Sequence, residues 1–236
     1  MGLLSQLSRG EPNVDRRRRR RKTRLTLNIT TTRPHPDLIG VIKSWTLHTD
    51  AWDRNHVHIQ AARQAGCRIS VYNNGVNYPE SEPIRIRLWR WLLKKYDVDG
   101  SNSWWGTVCW RNKMEDPWRS GITGFGVLLY PPRDATEQGP IESVRWELFR
   151  QGLQDYEYLH LAEELAEKLE AKGHSEAAEQ GRAVIGNALK LVDHWPRVGP
   201  TNDRPYNRDV NALSAARKDL AEAIEAMQSA GGDQLR

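Results

Sequence analysis

Cysteine is scarce in this chain. Two residues, Cys67 and Cys109, are found in 236. A single possible pair is no disulfide framework, and neither position has metal-ligand spacing. Both sit in or beside expected strands and read as buried free thiols. Phenylalanine is equally rare, at two residues. No apolar run approaches the roughly 20 residues that a membrane-spanning helix needs. Met1 to Gly10 offers only Leu3, Leu4 and Leu7, too few for the core of a secretory signal. Position 6 is Gln6, so N-myristoylation at Gly2 is not expected. The compartment therefore defaults to the cytoplasm. A glycine-rich phosphate loop, a His-Glu-x-x-His pair and a serine nucleophile elbow are all missing. His56 and His58 have a strand-like spacing but fall near the start of an expected helix, so neither a metal site nor a cofactor is expected.

Tryptophan, by contrast, is abundant, with 10 residues against two phenylalanines. Trp suits surfaces where a flat apolar face meets a polar partner, because it also carries an N–H donor; sugar rings are one such partner. The net charge is +5, but Arg16–Arg21 with Lys22 and Arg24 supply eight cations, and removing them turns +5 into −3. The basic character is local. That run is a candidate contact for nucleic acid or an anionic surface, and the rest of the chain has no such footprint.

Residues 1–24 are polar, basic and without period, and read as a disordered N-terminal segment. Alternation then predicts strands over Leu25–Thr30, Val41–Leu47, Arg68–Tyr72, Gly100–Gly106 and Phe125–Tyr130. Helical spacing predicts Arg54–Ala65, closed by Gly66, and Ile84–Tyr96. A long helix is expected from Pro140 to about Lys172, with Ser143 in its first turn and Trp146, Phe149, Leu153, Tyr156 and His160 on its apolar face. Its charges, Arg145 and Asp155 among them, are expected to be solvated or paired. Residues 173–236 read as a C-terminal helical hairpin, His174–His194 and Asn207–Ser229. Strands alternating with helices indicate a parallel α/β sheet. Periodicity alone fits both an open sheet and the second half of a (β/α)8 TIM barrel followed by C-terminal helices. A complete barrel typically takes about 250 residues or more.

If the sheet is a barrel sector, the strands' C-terminal ends carry the site. That rule selects His48, Asp50, Trp52 and Asp53 after the second strand, and Tyr72, Asn73 and Asn74 at the end of the third. It selects Trp104, Trp105 and Trp110 at and after the fourth, and Tyr130 at the short fifth. Rings stack on pyranose faces, and amides and hydroxyls bond to sugar hydroxyls, so the group describes a carbohydrate pocket.

The run Ser143-Val144-Arg145-Trp146-Glu147, followed by Arg150-Gln151-Gly152-Leu153-Gln154-Asp155-Tyr156-Glu157-Tyr158-Leu159, resembles the end of the family-123 glycoside hydrolase catalytic domain. Weaker pieces are Tyr72-Asn73-Asn74, Trp104-Trp105-Gly106 and Tyr130-Pro131. The resemblance covers about Leu25 to Leu165, so residues 25–172 read as the C-terminal part of such a barrel. It implies release of β-linked N-acetylgalactosamine from N-acetylhexosamine-containing glycans. It also implies a substrate-assisted mechanism, in which an Asp orients the acetamido group and an adjacent Glu is the acid/base. The nearest match to that pair is Gly10-Glu11-Pro12, where Glu11 matches the Glu and Gly10 stands in the place of the Asp. The resemblance thus implies a truncated domain that is inactive by itself. The alternatives are a noncatalytic carbohydrate- or protein-binding module and a nucleic-acid binder acting through the arginine run.

Overall fold

In the computed structural model, residues 27–73, 82–102, 127–134, 136, 138–196 and 205–232 are described. Four short segments rich in β-branched and polar residues become parallel strands: β1 (Asn28–Thr31), β2 (Ser44–His48), β3 (Arg68–Tyr72) and β4 (Gly100–Asn102). Their spatial order is β1-β2-β3-β4. Helix α1 (His56–Gln64) links β2 to β3, and α2 (Ile84–Lys95) links β3 to β4. Gly66 closes the α1 turn at φ +69°, a conformation that only glycine adopts at low cost. Each new strand is added on the same side of the last, so right-handed crossovers carry both helices over one face. The strands' apolar alternates line that face: Trp45 beside Ile69, and Leu47 beside Val71, all buried. They join α1 through Ile59 and Ala62 and α2 through Leu88, Trp91 and Leu92 in one core.

The opposite face carries Asn28, Ser44, Thr46, His48, Ser70, Tyr72 and Asn102. Asn102 Nδ2 donates to Thr46 Oγ1 at 3.4 Å, across the intervening β3. Strands stand about 4.8 Å apart, so on a flat sheet side chains two strands apart would not meet. The sheet is therefore concave toward its polar face. Gly100 belongs to the bend, because a Cβ there would stand 3.1 Å from Ser70 Oγ.

Beyond the sheet, β5 (Leu129–Tyr130) pairs antiparallel with β6 (Ile141–Glu142), and three helices follow: α3 (Val144–Ala171), α4 (Ser175–Leu189) and α5 (Val210–Gly231). The long helix starts later than the Pro140 expected from sequence. Ser143 is its N-cap, with Oγ accepting from the Trp146 N–H at 3.2 Å and donating to the Leu128 carbonyl at 2.7 Å. This serine satisfies one of the unpaired amides of the first turn, which Pro140 was expected to avoid. The expected apolar face is corrected as well. Leu153 is 44% exposed and His160 lies outside, whereas Arg145, Gly152, Asp155, Leu159, Ala162 and Ala166 are buried. No helix among the described residues is long and apolar enough to cross a membrane.

Asp155 explains the shifted face. Its carboxylate is 0% exposed and takes Arg87 Nε at 2.6 Å and Nη2 at 3.2 Å, Trp91 Nε1 at 3.1 Å, and Arg217 Nη1 at 3.1 Å. A buried carboxylate is tolerable only with such a set of donors. Here they come from α2 and α5, so three helices meet at one side chain. One turn earlier, a Cβ on Gly152 would stand 2.7 Å from the Arg87 carbonyl oxygen. The missing side chain lets α2 and α3 approach closely enough for Arg87 to reach Asp155.

The connection between α4 and α5 seats against α2 and its C-terminal end. Lys95 Nζ donates to the Val192 carbonyl at 2.5 Å, Trp195 stacks on Tyr96 with ring centroids 4.7 Å apart, and Val192 bridges Tyr206. Trp52, Trp89, Tyr96 and Trp195 form one aromatic cluster. Five of the six described tryptophans are buried, so much of the tryptophan excess is core and not a sugar-facing surface. Cys67 is buried as expected, its thiol donating to the Ile42 carbonyl at 3.2 Å; Cys109 lies outside the described residues.

Two substitutions test the helix junction. Asp155→Asn removes the charge between two guanidinium groups and is expected to cost about 3–5 kcal/mol. Gly152→Ala is expected to cost about 1–3 kcal/mol by forcing the helices apart, although alanine is the better helix former. Urea unfolding monitored by tryptophan fluorescence checks both. An unchanged midpoint for Asp155→Asn would show that the carboxylate does not hold the junction.

Candidate functional site

β2, β3 and β4 end level with one another. The register pairs His48 with Tyr72 and Tyr72 with Asn102. An imidazole, a phenol and a carboxamide thus form the last row of the concave face, because alternate residues of a strand share a face. The row beneath is Thr30, Thr46, Ser70 and Gly100. Thr46 is 1% exposed despite its hydroxyl. That hydroxyl meets the Asn28 carboxamide at 3.2 Å as well as Asn102, and Ser44 Oγ donates to Asn28 Oδ1 at 3.1 Å. The buried polar atoms are therefore partnered, as a stable floor requires.

His48 packs edge-on against Tyr72, with ring centroids 4.8 Å apart and planes at 87°. Its Nδ1 accepts the Asp50 backbone N–H at 3.3 Å. Asp50 itself is exposed, and its carbonyl accepts from Arg54 Nη2 at 3.4 Å. Asn73, one residue beyond Tyr72, is buried and bound to protein: Nδ2 donates to Thr49 Oγ1 at 2.6 Å and to the Pro196 carbonyl at 3.0 Å. Asn73 therefore ties the end of β3 to the α4–α5 connection. A second tie lies at the start of α2. There the Tyr206 hydroxyl donates to the Glu82 carboxylate and accepts from Arg85 Nε at 3.2 Å. Burial and then the Glu82 hydrogen bond push the Tyr206 phenol above its usual range, against the pull of Arg85.

Of the residues selected from sequence, His48, Tyr72 and Asp50 come together at this edge, with Asn73 behind them. Tyr130 sits on β5, outside the four-stranded sheet, where its hydroxyl accepts from Arg145 Nη2 at 2.9 Å; the same guanidinium reaches the Val127 carbonyl at 2.9 Å. Arg90, on α2, lies 4.3 Å from the centroid of Phe149, and burial lowers its pKa to about 10. Glu11, Trp104, Trp105, Trp110 and the Arg16–Arg21 run lie outside the described residues. Asn102 and the Asn28–Thr46 floor were missed. The signal for the floor was the polar alternation Ser44-x-Thr46-x-His48 and Ser70-x-Tyr72, which marks a second, polar face. Among the described residues, no group of three His, Cys, Asp or Glu side chains is placed to hold a metal ion.

The family described as "Glycoside hydrolase 123, catalytic domain" matches residues 42–162, just over half of the chain. The matched span runs from β2 into α3 and includes the His48–Tyr72–Asn102 row, Gly152 and Asp155. No curated protein matches the chain.

Asn73→Ala leaves the Thr49 hydroxyl and the Pro196 carbonyl without their donor. The expected cost is about 1–3 kcal/mol, read as a lower thermal midpoint. Asn73→Asp, which cannot donate when ionised, is expected to cost at least as much. A wild-type midpoint in both variants would separate the α4–α5 connection from the stability of this edge.

Proposed function

The chain belongs to the glycoside hydrolase 123 catalytic-domain family, and from that premise we propose that it is a glycoside-hydrolase-like domain whose carbohydrate site is the C-terminal edge of the concave sheet. The observation that carries this reading is the His48–Tyr72–Asn102 row. An imidazole, a phenol and a carboxamide, hydrogen-bonding side chains with two ring faces among them, suit a hydroxyl-rich ligand. The unbroken strand order, the helices on one face and the concave bend at Gly100 support a sector of a (β/α)8 barrel, in which the site belongs at this edge. The ligand is an N-acetylhexosamine-containing glycan, the class implied by the resemblance to β-N-acetylgalactosaminidases.

Chemistry is a separate matter from binding. In a substrate-assisted reaction the acetamido oxygen attacks the anomeric carbon, one carboxylate holds that group in line, and a second carboxyl protonates the leaving oxygen. The sequence contains no Asp-Glu dipeptide, and Gly10 precedes Glu11. Glycine neither orients the acetamido group nor stabilises the charge that develops on it. Loss of one such partner typically costs on the order of 100-fold or more in rate. The proposal is therefore binding without turnover at an enzymatic rate by this chain.

Release of chromophore from an aryl N-acetyl-β-galactosaminide measures turnover, with Glu11→Gln as control. Binding of methyl N-acetyl-β-D-galactosaminide is followed by tryptophan fluorescence. Binding that weakens about tenfold in Tyr72→Ala and Asn102→Ala, with no turnover, is the expected result. Turnover abolished in Glu11→Gln would overturn the inactive reading. Binding indifferent to both rim substitutions would move the site elsewhere.

A further inference from the structure

We infer that His48 is a specificity-determining donor of this site, a neutral imidazole that offers its Nε2–H to an acceptor oxygen of the ligand. The inference rests on the reading of the sheet edge as the sugar site. A neutral imidazole has one donor and one acceptor nitrogen. The Asp50 backbone N–H points at Nδ1 from 3.3 Å, so Nδ1 is the acceptor and the proton sits on Nε2. Among the described residues Nε2 meets no partner, although the ring is half-buried. Of the other two members of the row, Asn102 gives one of its two amide protons to Thr46, and Tyr72 has neighbours that include the His48 ring. His48 Nε2 is thus a ring donor of the row that no described residue takes.

The donor is also held in place. The Nδ1 bond fixes the ring from one side and the edge-on Tyr72 contact at 4.8 Å from another. Little rotational freedom remains to be lost when a ligand binds, which is the condition under which one hydrogen bond discriminates well between ligands. The acceptor it fits is an oxygen lone pair. A ligand presenting only a donor at that point leaves two N–H or O–H groups facing each other.

Glutamine and asparagine separate the two nitrogens of the ring. In His48→Gln the amide nitrogen falls near the Nε2 position and keeps a donor toward the ligand. In His48→Asn the shorter carboxamide falls near Nδ1, accepts the Asp50 N–H and leaves the ligand without a donor. The first measurement is a long-range proton–nitrogen correlation spectrum of the wild-type chain at neutral pH. A single tautomer protonated at Nε2 is expected, and protonation at Nδ1 overturns the inference without any ligand present. The second is titration with methyl N-acetyl-β-D-galactosaminide. The His48 Nε2 signal is expected to shift, His48→Gln to bind within about threefold of wild type, and His48→Asn to bind about tenfold or more weakly. Equal binding by wild type and His48→Asn overturns the role of His48 and leaves the site standing. A wild-type chain in which neither His48, Tyr72 nor Asn102 responds to the sugar removes the site, and the inference with it.

Discussion

A carboxylate with no access to water organises the helical half of this protein. Asp155 sits where α2, α3 and α5 meet: its Oδ2 is taken by Arg87 and Trp91 of α2, and its Oδ1 by Arg87 and by Arg217 of α5. An ion in that position is costly unless its partners arrive at fixed distances and angles. The requirement therefore acts on the backbone. Gly152 has to lack a side chain so that α2 can approach, and α2 has to present Arg87 and Trp91, four residues apart, on one face. Apolar packing alone would tolerate a range of helix rotations. The carboxylate tolerates few, and it sets the rotation of α2, which in turn carries Leu88 and Leu92 into the core shared with the sheet.

From that fixed helix the order extends to the polar edge. α2 leads into β4, and its residues hold the α4–α5 connection through Lys95, Tyr96 and Arg85. The connection in turn holds Asn73 at the end of β3, beside the Tyr72 that faces the concave side. The edge is thus supported from behind by residues more than a hundred positions away in sequence. Such support fixes the positions of the imidazole, phenol and carboxamide, and positional accuracy carries much of the selectivity of any hydrogen-bonding site.

The strands and helices were legible because they are governed by local pattern. β3 was read from Arg68 to Tyr72 and occupies those residues, and Gly66 and Gly173 mark helix ends as their positive φ requires. The buried face of α3 was not legible. An Asp and an Arg on an isolated helix look like solvated charges, and only the guanidinium groups of two other helices make an inward Asp155 favourable. The Ser143 cap was displaced by a similar preference, since a proline three residues upstream is also a good helix start. At the site, His48 and Tyr72 were found by their place at strand ends, whereas Asn102 required the register of β3 against β4. Tyr130 ends a strand too, but of the separate two-stranded sheet, a membership that no period in the sequence reveals.

The three arms of the Asp155 junction stand at positions 87, 155 and 217, and that spacing bears on how the protein comes into being. A chain emerging from the ribosome exposes α2 first, then α3, and only much later the arginine of α5. Until Arg217 arrives, the carboxylate has one fewer cation than its burial requires, and water has an open path to it. The sheet edge and its polar row can form early from neighbouring segments. The tight seating of α2 behind them waits for α5, far downstream in sequence, so these three helices are expected to consolidate late and as a unit.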